Sequence, residues 1–151
     1  MIRLLSFDTA REAWFEEASS LYQKKIAAFY KFEKINLKSP TKDASQKAEQ
    51  ESNLLLTKTK GRYIILADEK GKNLDSSRFS KMLVDNLESG NRNIDFIVGG
   101  AFGVSDTIRE ESNQVISLAP FVMNHLVAQV VLMEQIYRAF SIWKGLPYHN
   151  N

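Results

Sequence analysis

The sequence contains no cysteine, and that absence removes two classes of site. Without thiols the chain forms neither disulfides nor thiolate-ligated metal centres. No apolar run reaches the ~20 residues that a membrane-spanning helix needs. The short apolar N-terminus meets an acid at Asp8 too early for a signal peptide. We therefore expect a cytoplasmic protein that does not associate with membranes.

Histidine is scarce as well, and common catalytic signatures are missing. His125 and His149 lie far apart in the sequence and neither is accompanied by a cluster of acids, so no metal site is expected. No G-x-S-x-G turn is present to hold a nucleophilic serine. No repeat, low-complexity segment or linker divides the 151 residues, which are 44% apolar and 25% charged, as in ordinary globular proteins. We expect one domain over residues 1–151.

The charge of the chain is small but unevenly distributed. The net charge is +2, yet residues 23–62 contain ten Lys or Arg against four Asp or Glu, which gives +6 there and −4 elsewhere. A basic stripe of this kind suits a phosphate backbone. A lysine-rich face that only contacts water is the alternative.

Strand and helix patterns alternate along the chain. Short apolar stretches predict strands at residues 1–7, 32–38, 63–67, 94–98 and 114–118, with a polar turn at 68–72. Helices are predicted from a capping box of Thr9 and Glu12, over 44–58, from Asp75 or Ser76 to Gly90, from Ser105, and over 125–144. The side chains of the first helix that are expected to face the core are those of Trp14, Ala18, Leu21, Tyr22, Ile26 and Phe29. This alternation predicts an α/β fold with a mostly parallel sheet covered by helices on both faces.

Two features of the C-terminal half predict a pocket and a partner. The strand at 94–98 runs into the loop Gly-Gly-Ala-Phe-Gly, and the strand at 114–118 breaks into residues 119–124. Ligands in open α/β sheets bind outside the carboxyl ends of the strands, so the two loops are expected to form one nucleotide-sized pocket. A simple tight turn is the alternative for the glycine loop. The helix at 125–144 is apolar nearly all round, which predicts burial by a second subunit and hence a homodimer.

The sequence of the glycine loop limits which ligands the predicted pocket would bind. It has neither the Walker Lys-Ser/Thr nor the G-x-G-x-x-G spacing, so it suits close backbone approach to a ligand without charged phosphates. The chemistry that remains is one that depends on the position of the reacting groups more than on strong acids or bases. Methyl transfer from S-adenosylmethionine is one example, because the sulfonium already supplies the leaving group.

Four segments together resemble one known family. They are FIVGGAFG at residues 96–103, Ser117-Leu118 with the loop before His125, EQIYRA at 134–139, and Pro-Tyr-His at 147–149. The chain resembles the RlmH family of ribosomal large-subunit pseudouridine N3-methyltransferases, in the SPOUT superfamily. The resemblance implies a deep C-terminal trefoil knot, a homodimer, S-adenosylmethionine as cofactor, and methylation of a pseudouridine in 23S rRNA of the assembled ribosome. A catalytically silent ribosome-binding or assembly module, and a knotted methyltransferase for another RNA base, are the alternatives.

The resemblance also implies site residues. By position, the cofactor contacts fall on Leu66, Ala67, Gly100, Ala119, Pro120, Phe121, Val122, Met123 and Asn124. The catalytic candidates are His149, Tyr148 and Arg138, and the tail with Tyr148 and His149 is expected to reach the partner subunit's pocket. His149 is expected to take or relay a proton, while Arg138 either orients the base or pairs with Glu134.

Three positions depart from the family pattern. Asn124 stands where Pro is usual, Gln129 where Arg is usual, and Asn150 where Lys or Arg is usual. We expect the two lost cations to weaken phosphate contacts more than cofactor binding. The tail after Gly145 is expected to project from the body of the subunit.

Overall fold

The computed structural model describes residues 1–7 and 12–150. Within them, five strands alternate with five helices, as the sequence predicts. The elements are β1 Ile2–Ser6, α1 Ala13–Ala27, β2 Phe32–Asn36, α2 Ala44–Lys58, β3 Tyr63–Asn73, α3 Ser76–Glu88, β4 Ile94–Val98, α4 Asp106–Glu111, β5 Gln114–Ser117 and α5 His125–Trp143.

The five strands form one sheet in the order β2-β1-β4-β3-β5, and every pairing between them is parallel. The predicted parallel α/β sheet is therefore confirmed. Parallel strands require crossover connections, and the helices supply them. The prediction that residues 1–151 form a single domain stays a prediction, although all described strands share this sheet.

Helix starts follow the capping chemistry written in the sequence. Asp75, rather than Ser76, caps α3 by accepting a hydrogen bond from the Arg78 backbone N–H. The Ser105 side chain does the same for the short α4. Thr9 of the predicted capping box lies outside the described residues. Glu12 is the N-cap of α1, with no side-chain capping bond.

Alternate residues of the strands enter two hydrophobic cores, one on each face of the sheet. Leu4, Ile65 and Phe96 point into the core that α1, α3 and α5 cover. The strand neighbours Leu5 and Ile97 point into the core beneath α2 and α4. Side chains of successive strand residues face opposite ways, so a buried parallel sheet needs apolar residues at nearly every position. This arrangement confirms the prediction of helices on both faces.

The predicted inward face of α1 is partly wrong. Trp14 and Leu21 are 47% and 50% exposed, whereas Phe15 and Ile26 are buried. Tyr22, Ile26 and Phe29 of the predicted stripe do contact the core. In the first half of the helix the buried residues are Phe15 and Ser19, each about 100° around the helix from the residue predicted there. The true core stripe contains Ser19, whose hydroxyl contacts Met133 on α5. That polar residue hides the stripe from a reading of hydrophobicity alone.

The polar turn predicted at residues 68–72 is also wrong, because β3 continues through it to Asn73. Ala67 and Lys72 both pair with Ile116 of β5, with an irregularity between them. Gly71 lies so close that an added Cβ would stand 2.4 Å from the Ile116 carbonyl carbon. The segment from 67 to 72 thus passes tightly around β5, and only glycine fits at the crossing.

We predict that Gly71→Ala destabilises the protein by about 2–3 kcal/mol, because the new methyl group meets backbone that cannot rotate away. The matched control is Gly61→Ala. Gly61 has φ +76°, and a Cβ added there would meet nothing within 4 Å, so only conformational strain of about 1 kcal/mol is expected. Urea unfolding at one fixed protein concentration measures both. Equal losses for the two variants would contradict a steric crossing at Gly71.

Candidate functional site

A cavity of about 430 Å³ lies outside the carboxyl ends of β4 and β5 and beside residues 67–69 of β3. The predicted loops, after Val98 and after Ser117, form two of its walls. Their strands are not neighbours in the sheet, since β3 runs between them. Residues 67–69, in the middle of β3, therefore form the wall between the loops. The volume lies in the range typical of sites for drug-sized ligands.

The cavity is poorly suited to phosphate. Among its described lining residues none is Lys or Arg, whereas Asp68 and Glu69 both contribute. Asp68 is held by Arg109, whose Nη2 lies 3.1 Å away, and it accepts a hydrogen bond from the Lys70 backbone N–H at 2.9 Å. An apolar cavity with acids at one side favours a ligand that is neutral or positively charged.

The structure brings most of the predicted cofactor residues together. Those on the cavity wall are Ala67, Gly100, Ala119, Phe121, Val122, Met123 and Asn124. Leu66 is fully buried in the core beneath α2 and α4, and neither it nor Pro120 lines the cavity. The wall also contains His125, the first residue of α5.

Gly100 separates the cavity from a buried carboxylate. Glu51 of α2 is 4% exposed, and its Oε2 has no hydrogen-bond partner among the described residues. A Cβ on Gly100 would lie 2.5 Å from that oxygen. A side chain at position 100 would thus collide first with Glu51 and push the loop or the carboxylate aside.

Two of the three departures from the family pattern, Asn124 and Gln129, lie at the start of α5, and the local structure accommodates both. Asn124 is the N-cap of the helix and accepts a hydrogen bond from the Leu126 backbone N–H at 2.8 Å. Gln129 is fully buried and accepts a hydrogen bond from the Ser6 hydroxyl at 3.0 Å. The expected weakening of phosphate contacts by Gln129 stays a prediction, and the buried side chain itself does not reach the surface.

The C-terminal tail does not project from the body, contrary to expectation. The chain turns at Gly145, with φ +66°, and folds back over α5. The Tyr148 ring packs edge-on against Tyr137 with the centroids 4.7 Å apart. The Tyr148 hydroxyl donates a hydrogen bond to Glu134 at 3.1 Å. The side chain gains apolar contact and a buried partner, which explains why the tail returns.

The three catalytic candidates form one cluster on α5 and the tail. Arg138 forms a salt bridge with Glu134, and its Nη1 lies 3.2 Å from His149 Nδ1. Arg138 therefore pairs with Glu134, and this pairing does not prevent it from also orienting the base. The guanidinium also lies over the Tyr148 ring, 4.8 Å from the centroid. Lys25 of α1 adds a second cation, 4.8 Å from the centroid of Tyr137.

Protonation within this cluster follows from the contacts. Burial and hydrogen bonds with Tyr22 and Glu134 raise the pKa of Tyr148, so its hydroxyl stays protonated near neutral pH. The pKa of Arg138 is raised, mainly by its hydrogen bond with Glu134. Since Arg only donates hydrogen bonds, His149 Nδ1 must accept from it. Neutral His149 then carries its hydrogen on Nε2.

The cavity and the cluster lie at different places along α5. His125 borders the cavity, and Arg138 is further along the same helix. At about 1.5 Å of rise per residue, the two positions are separated by roughly 20 Å. Sequence reasoning missed Lys25 and Glu51, because both contacts join distant parts of the chain and leave no local pattern.

Within residues 1–7 and 12–150, the structure supports neither a metal site nor a membrane-spanning helix. No group of three or more His, Asp or Glu there could hold a metal ion. In the same part of the chain, no helix is both long and apolar enough to cross a bilayer.

Comparisons with known proteins agree with this geometry. The model of a family described as predicted SPOUT methyltransferase matches residues 1–149. A protein named ribosomal RNA large subunit methyltransferase H, from Bdellovibrio bacteriovorus, is 45% identical over 151 residues that cover 97% of each chain. Proteins of that name from Streptococcus uberis and Caldicellulosiruptor saccharolyticus are 35% and 32% identical, with 98% and 99% of each chain covered. The family implies the trefoil knot and S-adenosylmethionine as methyl donor. The chain belongs to the SPOUT methyltransferase family.

Proposed function

We propose that this protein transfers a methyl group from S-adenosylmethionine to N3 of a pseudouridine in 23S rRNA, in the cytoplasm. The observation that carries the proposal is the cavity at the strand ends, whose described lining has no Lys or Arg. It fits a cationic nucleoside better than a nucleotide phosphate. The near full-length similarity to proteins named for large-subunit rRNA methylation supports the choice of substrate.

The residues on the cavity wall fit the cofactor. Bound there, S-adenosylmethionine supplies an activated methyl group on a positively charged sulfur. Backbone at Gly99 and Gly100 allows close approach, and the exposed side chains of Phe121 and Val122 offer apolar contact. Asp68 is compensated by Arg109, so Glu69 supplies the remaining negative charge at this side of the cavity, which would favour the positively charged groups of the cofactor.

The separation along α5 supports a site completed by two chains. Arg138 lies about 15 Å along α5 from Ala128, a helix residue on the cavity wall of its own chain, which is too far for methyl transfer between groups in contact. A two-fold homodimer places the same patch of each subunit against the other, so each cluster can complete the partner's cavity. Apolar side chains left exposed on α1 and α5, which pack on each other, suit this interface: Trp14, Leu21, Val127 and Trp143.

The cluster is suited to hold the pseudouridine in its deprotonated form. The imide N3 must lose its proton before it can accept a methyl group. Arg138 and Lys25 exceed the single acid Glu134 by one positive charge, which stabilises an imide anion. His149, with its hydrogen on Nε2, donates to a carbonyl oxygen of the base. Tyr148 acts through Glu134, which it and Arg138 hold in place.

We predict that Gly100→Val lowers affinity for S-adenosylmethionine at least tenfold while the protein stays folded. The expected cause is displacement of the loop by the Glu51 carboxylate, 2.5 Å from the new Cβ. Adding Glu51→Ala to Gly100→Val should then recover part of the affinity, with Glu51→Ala alone as control. Titration calorimetry measures the cofactor affinity of the wild type, the two single variants and the double variant, and circular dichroism checks that each is folded. Unchanged affinity in folded Gly100→Val would place the cofactor elsewhere, and wild type without affinity would favour a silent ribosome-binding module.

We predict a dimer at micromolar concentration, dissociated by Leu21→Lys, which places a charge in the proposed interface. Ser20→Lys is the matched control, since Ser20 is exposed and lies about 100° around α1 from Leu21. Sedimentation velocity distinguishes the species. A wild-type monomer, or a dimer that tolerates Leu21→Lys as well as Ser20→Lys, would contradict this interface.

We predict that His149→Ala reduces methylation strongly and leaves cofactor affinity within a few-fold, because the tail acts on the RNA side. A mixed dimer tests which pocket the tail serves. One subunit carries only Gly100→Val and the other only His149→Ala. The intact pocket then receives the intact tail of the partner, so about half of wild-type activity should survive. Inactivity of a verified mixed dimer would mean that each tail serves its own pocket, or that the two sites do not work independently.

A further inference from the structure

One aromatic side chain at the rim of the cavity is not used by the proposed site. Phe102 lies in the glycine loop, between Ala101 and Gly103, both of which line the cavity. Phe102 itself does not line it, and its side chain is 53% exposed. A large ring held half in water beside a ligand cavity is available to a second ligand group.

The loop presents this ring in a fixed position. The Gly103 backbone N–H donates to the Gly100 carbonyl at 3.0 Å, which closes a tight turn around Phe102. Gly103 has φ +77°, a value that favours glycine. The Ser105 backbone N–H donates to the buried Ser52 hydroxyl of α2 at 2.9 Å, which fastens the end of the loop. Such preorganisation lowers the entropy lost when a ligand binds.

A cation accompanies the ring. The Nζ of Lys47, on α2, lies 5.5 Å from the centroid of the Phe102 ring. The lysine is half-buried and belongs to the basic stretch 23–62, which has a net charge of +6. A planar apolar surface beside an ammonium group matches a nucleotide, whose base stacks on aromatic rings and whose phosphate pairs with cations.

We propose that Phe102 and Lys47 form a nucleotide-binding subsite that receives an unpaired base of the substrate RNA next to the methylated one. The base stacks on the exposed part of the Phe102 ring, and its phosphate pairs with Lys47. This inference rests on the proposed function and adds a second contact point for the RNA. The subsite fixes the position of the RNA strand, while the cavity and the partner's tail carry the chemistry.

The test is a set of substitutions assayed on ribosomes that lack the methylation. Phe102→Ala should raise the KM for ribosomes about tenfold, the size expected for one lost base–aromatic stack. The cofactor affinity and kcat should change less than twofold. Phe102→Trp should retain the wild-type KM, whereas Phe102→Leu, which is apolar without a π-face, should resemble Phe102→Ala.

Lys47→Gln tests the phosphate contact. It should raise the KM and reduce the salt dependence of ribosome binding by about one ion. Lys60→Gln is the matched control, because Lys60 is exposed and lies beyond the opposite end of α2. Lys60→Gln should leave both quantities unchanged within error. Equal effects of the two lysine variants would show that only overall charge matters and would overturn the subsite.

Filter binding of the same variants to ribosomes separates this inference from the proposed function. If wild type binds but does not methylate, the function fails while the Phe102 series still reports on binding. If wild type methylates and Phe102→Ala equals wild type, the subsite is wrong. A loss of cofactor affinity in Phe102→Ala would place the ring in the cofactor pocket, and a change of sedimentation would place it in the dimer interface. Either result would overturn the proposal.

Discussion

The contact of Gly71 with the backbone of Ile116 is the constraint on which the site depends. It holds residues 67–73 of β3 against β5, so neither strand can shift without the other. The segment that makes this crossing, residues 67–72, begins with the middle wall of the cavity. The loops after β4 and β5 converge on that wall. A cavity assembled from two strand ends and the middle of β3 therefore owes its shape to one position where a side chain is excluded.

Helix α5 sets the distance between the cavity and the polar cluster. Its first residue borders the cavity, and its later turns hold the polar cluster with the returning tail. A helix is rigid over this distance, so one chain cannot close the gap by bending. In the proposed homodimer, the cluster of one subunit would reach the cavity of the other without a moving part. The same helix buries Gln129 and caps itself with Asn124, so two unusual residues support the fold here.

Patterns local in sequence were predictable, and contacts between distant segments were not. The five strands, the five helices and the loops at their carboxyl ends follow from apolar stretches, caps and glycines. The continuation of β3 through the charged residues 68–72 does not, because its cause is β5, more than forty positions away. The inward face of α1 was misassigned since Ser19 finds a partner on α5. Of the site, the family resemblance supplied the residues of the wall and of the tail, whereas Lys25, Glu51 and Lys47 reach their places only through packing.

The proton on His149 shows how such packing decides chemistry. As a free residue in a projecting tail, His149 would have either nitrogen available to take a proton. Against Arg138, which cannot accept a hydrogen bond, Nδ1 is occupied as an acceptor. The neutral ring then offers an N–H at Nε2, so it suits a base whose negative charge is spread over carbonyl oxygens. An imide anion is such a group, and Arg138 and Lys25 supply compensating positive charge nearby. In the function that we propose, the cluster therefore stabilises the deprotonated base rather than removing its proton, and His149 acts as a hydrogen-bond donor rather than a proton acceptor.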